Sequence, residues 1–120
     1  MANEITVTTS VKVVNGSVSE TLSDSASTFD QTGTRFIKGV QEVGFAAAEA
    51  LDMGDLTDPG WCYMRNLDAA NYVSVFAATG ETEMIRILAG EHMAFRMVAT
   101  APFVQADTAA VDLEYMIVQL

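Results

Sequence analysis

Gly60-Trp61-Cys62-Tyr63-Met64-Arg65-Asn66-Leu67-Asp68-Ala69-Ala70-Asn71-Tyr72-Val73 decides the fold class. Apolar and aromatic residues come first, a polar Asn-Leu-Asp-Ala-Ala-Asn break follows, and apolar residues resume. That order predicts a β-hairpin with strands over 61–67 and 72–78. Trp61, Tyr63, Arg65 and Leu67 would share one face of the first strand, with Cys62 and Met64 on the other. No residue in the stretch is an obvious catalytic group.

The same strand grammar runs outward in both directions. Ile5, Val7, Thr9, Val11 and Val13 alternate with Thr6, Thr8, Ser10, Lys12 and Val14. Period two in β-branched residues predicts a strand. Asn15-Gly16 follows as a hairpin turn that tolerates positive φ. Residues 17–29 are two-sided. Ser17-Val18-Ser19-Glu20 fits a capping box, yet five Ser and two Thr compete with a helical backbone. The Asn-Gly turn favours a strand. Asp30-Gln31-Thr32-Gly33 reads as a turn, and 34–45 as a long strand with apolar residues on both faces. Phe36 and Val40 would lie on one face, Ile37, Val43 and Phe45 on the other. Residues 46–51 read as extended or bent, with a short helix as the alternative. Residues 52–60 form a loop closed by Asp58-Pro59-Gly60. Segments 84–88 and 92–99 flank Ala89-Gly90-Glu91, and 103–107 and 111–120 complete the chain. The expectation is an all-β, single-domain β-sandwich over 1–120, jelly-roll-like, with about eight to nine strands. Residues 1–14 would serve as an N-terminal arm or an edge strand.

Sixteen Asp and Glu face six Lys and Arg, a formal net charge of −10. Phosphate neutralisation needs clustered bases, so nucleic acid and anionic membranes are not expected partners. One cysteine, Cys62, allows no internal disulfide and reads as a buried, inert thiol. Residues 1–4 carry no basic stretch and no long apolar run follows. No signal peptide is therefore expected, and synthesis in a cytoplasm is.

His92 is the only histidine, so a nucleophilic site would have to join it to Cys62. No signature surrounds either, and neither an enzyme nor a cofactor is expected. Asp52, Asp55 and Asp58 offer oxygen ligands every three residues, which suits turn formation better than a calcium site. Asn66, Asp68 and Asn71 beside Trp61, Tyr63 and Tyr72 could hold a sugar. Packing around the aromatic residues, with the amides bonded inside the loop, is the competing account.

The 60–73 stretch, Leu88-Ala89-Gly90-Glu91, and the run from Ala106-Asp107 to Leu113-Glu114-Tyr115 occur in that order. Over the last half of the chain they resemble small virion structural proteins of tailed bacteriophages. That resemblance implies a structural protein on the outer capsid surface, made in the host cytoplasm. A capsid decoration (cement) protein bound between major capsid protein subunits, and homo-oligomeric, fits it best. Trimers are favoured because threefold positions are common docking points. A carbohydrate-binding module of a phage tail or baseplate is the alternative. Interaction residues would be Ile5, Val7, Val11 and Val13 in the arm, and Trp61, Tyr63, Arg65, Asn66, Asp68, Asn71 and Tyr72 around the second stretch.

Overall fold

The computed structural model describes residues 3–120, with the side chains at 24 and 25 outside the description. Positions 1 and 2 of the expected arm therefore lie outside the described residues. Ten strands and no helix occur among those described. The chain divides into two compact units, the first ending at Thr32 and the second running Gly33–Leu120.

The first unit is one antiparallel hairpin of β1 (Ile5–Asn15) and β2 (Val18–Phe29). The serine-rich segment is a strand, as the turn implied. Asn15 pairs with Val18, so Gly16 and Ser17 are the central turn residues, one place later than the Asn-Gly reading. Gly16 has φ +60°, and a left-handed glycine in the first central place suits the twist of a two-residue hairpin. Asn15 is thereby freed to end the ladder. At the open end the Asn3 amide donates to Asp30 Oδ1 (2.8 Å) and the Gln31 amide to Glu4 Oε2 (3.1 Å).

The second unit is a two-sheet sandwich. One sheet has the order β3-β10-β5-β8, formed by β3 (Phe36–Val43), β10 (Val111–Gln119), β5 (Pro59–Asn66) and β8 (His92–Arg96). The other has the order β4-β9-β6-β7, formed by β4 (Glu49–Ala50), β9 (Phe103–Ala106), β6 (Val73–Phe76) and β7 (Glu83–Ile87). All pairings are antiparallel. The inner faces meet in one core of Val43, Met64, Val73, Val75, Ile87, Val104, Val111, Leu113 and Ile117, each fully buried. The two-residue periodicity of β10 is complete: Val111, Leu113, Tyr115 and Ile117 point in, while Asp112, Glu114, Met116 and Val118 point out.

Two sequence expectations fail here. Residues 61–67 and 72–78 do not pair with each other, because β5 and β6 belong to different sheets. Each already has two neighbours, β10 and β8 for one, β9 and β7 for the other. A polar break between two apolar runs marks a change of direction but not a partner. Pro59-Gly60 is not a turn either; both residues open β5 and are buried. The turn of that loop is earlier, where Gly54 has φ +55° and its amide donates to Asp52 Oδ1 at 2.9 Å.

Residues 46–51 are bent and then extended into β4 rather than helical. Gln41, on the inner side of β3, explains the bend. Its amide nitrogen donates to Glu49 Oε2 (3.2 Å) and the Ala50 carbonyl (3.1 Å), and its oxygen accepts from the Asp52 amide (2.8 Å).

Candidate functional site

Asn66 ends β5 with its side chain 0 % exposed. A buried amide must find partners for two donors and an acceptor, and this one does. Nδ2 donates to the carbonyls of Asn71 (2.8 Å) and Ile87 (3.0 Å), and Oδ1 accepts from the Asp68 amide (2.8 Å). Its backbone binds the neighbouring turn: Asn66 N–H to Glu91 O (2.9 Å) and Gly90 N–H to Asn66 O (3.2 Å). Gly90 has φ +79°, and Glu91 Oε1 accepts from the Leu88 amide at 2.8 Å. Arg-Asn-Leu-Asp and Leu-Ala-Gly-Glu, far apart in sequence, are thus one lock that carries the chain from sheet to sheet.

Asp68 completes the lock. Its carboxylate accepts from the amides of Asn71 (2.7 Å) and Ala70 (3.0 Å), and Asn71 accepts from Thr108 Oγ1 at 2.8 Å. The Asn71 and Ala70 amides hold the Asp68 carboxyl below its ordinary value, against the opposing effect of desolvation. A depressed folded-state value stabilises the fold above the ordinary carboxylate range and loses that effect as pH falls through it. Asp68→Asn should therefore melt lower than the parent chain at about pH 6, with the difference vanishing near about pH 2. Thermal melts across that range check it.

Asn66, Asp68 and Asn71 are therefore engaged inside the loop. Trp61, Tyr63 and Arg65 lie on the outer side of the β3-β10-β5-β8 sheet, while Cys62 and Met64 point into the core. Leu67 lies beyond the strand and is exposed. Tyr72 leaves for the other sheet, where the Arg86 guanidinium stands 4.1 Å from its ring centre. Arg86 also holds both Glu83 oxygens at 2.9 Å, and Ser74 Oγ donates to Glu83. Arg86 and Ser74 keep the Glu83 carboxyl below its usual range. Sequence reasoning missed this Tyr-Arg-Glu-Ser group, which arises only when Ser74 and Arg86 pair across β6 and β7.

Cys62 and His92 are not brought together. Cys62 faces the core and is 2 % exposed. His92 pairs with Arg65 in register, so it lies on the outer side, where its ring stacks on Tyr63 at 6.2 Å. Burial pushes the Cys62 thiol up to about 12 from 9.0, which leaves it protonated at neutral pH and a poor nucleophile. Cys62 should resist a thiol reagent in the folded chain and react at once after denaturation. Asp52 is committed to its turn, and its carbonyl accepts from Tyr115 Oη at 2.6 Å. Among the described residues no three His, Cys, Asp or Glu side chains group as metal ligands.

The hairpin carries the most distinctive surface. The β1–β2 register puts Ile5, Val7, Val11, Val13, Val18, Leu22 and Phe29 on one face with Thr9, Glu20 and Ser27 among them, and Ser and Thr with Lys12 and Val14 on the other. Val11 is 75 % and Leu22 82 % exposed. Ile5 and Val7 are partly covered. The arm residues expected to mediate contact therefore share one face, as two apolar clusters, Ile5 and Val7 with Phe29 and Val11 and Val13 with Leu22, separated by Thr9 and a register shift.

Comparison with models of known protein families, with curated proteins and with solved structures finds no match to this chain.

Proposed function

We propose that this chain is a structural virion protein of a tailed bacteriophage, a capsid decoration protein that stabilises the head by binding between major capsid subunits. The observation that carries an assembly role is the pair of apolar clusters on one face of the hairpin. A two-stranded hairpin is at best marginally stable in water by itself. One that also exposes Val11, Val13, Val18 and Leu22 on one face favours a covering surface. A capsid subunit is the covering surface in this reading, and repeated copies on a lattice would add multivalent strength.

The body is consistent with the same role. Strands β3 to β10 fill two four-stranded sheets, and every connection except β6 to β7 passes from one sheet to the other. That order supports a jelly roll, an architecture found in viral capsid and lectin domains. Fold alone does not assign function, and the virion context rests on the sequence resemblance. The glycan-binding alternative loses its polar half, since Asn66, Asp68 and Asn71 are spent on the loop.

An antibody against the chain, imaged on the phage particles that encode it, tests the proposal. Labelling over the head surface is expected. Labelling confined to the tail, or absent from particles, would overturn it.

A further inference from the structure

The outer face of the β3-β10-β5-β8 sheet differs in chemistry from the rest of the surface. The registers place three rows across it: Glu42 and Asp112; Val40, Glu114, Arg65 and His92; and Lys38, Met116, Tyr63 and Ala94; beyond them lie the pairs Phe36–Val118 and Trp61–Arg96, on either side of an irregularity in the β10–β5 ladder. Phe36 is 63 % and Val40 57 % exposed, though a soluble sheet face is ordinarily polar. Aromatic residues, Met and Arg are the types enriched in protein interfaces, and here Phe36, Trp61, Tyr63, Met116 and Arg96 lie in the third row and the pairs beyond it.

Charge selects the occupant. Three bases, Lys38, Arg65 and Arg96, sit on this face against three acids, Glu42, Asp112 and Glu114. Elsewhere in the chain acids outnumber bases by more than four to one. A protein of charge −10 repels its own copies through almost any surface. This face is balanced, so two copies can meet through it without net repulsion. A strongly basic partner would be drawn to the acidic remainder instead. Four strands about 4.8 Å apart, of eight, nine, eight and five residues, cover about 500 Å². Two copies would bury about 1,000 Å², the lower bound of a specific interface.

We propose that two copies of this chain associate face to face through the outer side of the β3-β10-β5-β8 sheet. Such pairing is isologous and gives an even-numbered assembly, unlike the threefold order that the phage resemblance implies. It does not depend on the virion reading, since it uses neither the hairpin nor a capsid.

Trp61 is the single tryptophan and sits on this face, so its emission reports the contact. With rising concentration of the full chain, the mass by light scattering should climb toward twice 12.9 kDa, with a parallel blue shift of Trp61 emission. Lys38→Glu with Arg96→Glu should weaken association at least tenfold. Adding Glu42→Lys and Asp112→Lys restores the balance and should recover it; all four side chains are exposed, so folding is spared. Val11→Ser with Leu22→Ser should leave it unchanged. A concentration-independent mass, a mass tending to three chains, or failure of the restored variant to associate would overturn the proposal. So would association abolished by the hairpin variant and untouched by the charge variant.

Discussion

If the hairpin docks on a capsid as proposed, replacing Val11 and Leu22 together by serine should cut that attachment more than 100-fold while leaving the chain's own melting temperature nearly unchanged. Both side chains are largely in water in the free chain, at 75 % and 82 % exposure. Their loss therefore removes little from the folded state, and surface changes of this kind stay within about 0.5 kcal/mol. On a partner surface the two would bury apolar area worth about 3–6 kcal/mol, and each 1.4 kcal/mol is about tenfold in affinity. Serine keeps the strand polar and short, like its Ser and Thr neighbours. Co-sedimentation of the variant with particles lacking the protein, beside a thermal melt, reads both quantities. Equal binding by parent and variant would remove the hairpin from the interface. A large fall in melting temperature would place these side chains in a core instead.

Asn66→Ala should be among the most damaging single substitutions in the sandwich, costing about 3–5 kcal/mol. The truncation deletes three hydrogen bonds at once and strands the carbonyls of Asn71 and Ile87 and the amide of Asp68. A buried group left without a partner costs about 1–3 kcal/mol, and these three surround one loop. The melting temperature should fall by more than about 12 °C. Asn71→Ala is the control. Its half-buried side chain accepts from Thr108 and makes a long contact of 3.4 Å to Asp68, so it should cost about 1 kcal/mol or less. Denaturant unfolding of the two variants compares them directly. Similar losses for both would mean that the loop, rather than the Asn66 side chain, carries the stability.

The hairpin and the sandwich were legible in the sequence to different degrees. Alternation from Ile5 to Val13 and the Asn15-Gly16 signal were enough to give β1, β2 and the fact that they pair, though the turn sits one residue later than Asn-Gly implied. That information is local: strand period and turn chemistry lie within a few residues of each other. Alternation likewise separated the two faces of β5, with Cys62 and Met64 on one side and Trp61, Tyr63 and Arg65 on the other. It also separated Cys62 from His92, once the register was known. The partner of β5 was not legible. Both a hairpin and a crossover place a polar loop between two apolar strands, so the 60–73 stretch suits either.

Sequence by itself thus determined the all-β class, the strand faces, the acidic charge and the inert environment of Cys62. Only the tertiary structure decided which strands are neighbours, and with it every property that needs two distant segments. The Asn66 lock unites residues 66–71 with 87–91, and the balanced outer face draws its rows from four strands between Phe36 and Val118. The physical reason is that strand period is a one-dimensional signal, whereas backbone hydrogen bonding between strands is nearly independent of side-chain identity. Pairing is selected by burying all the inner faces in one core at once, and no single stretch of the chain contains that requirement.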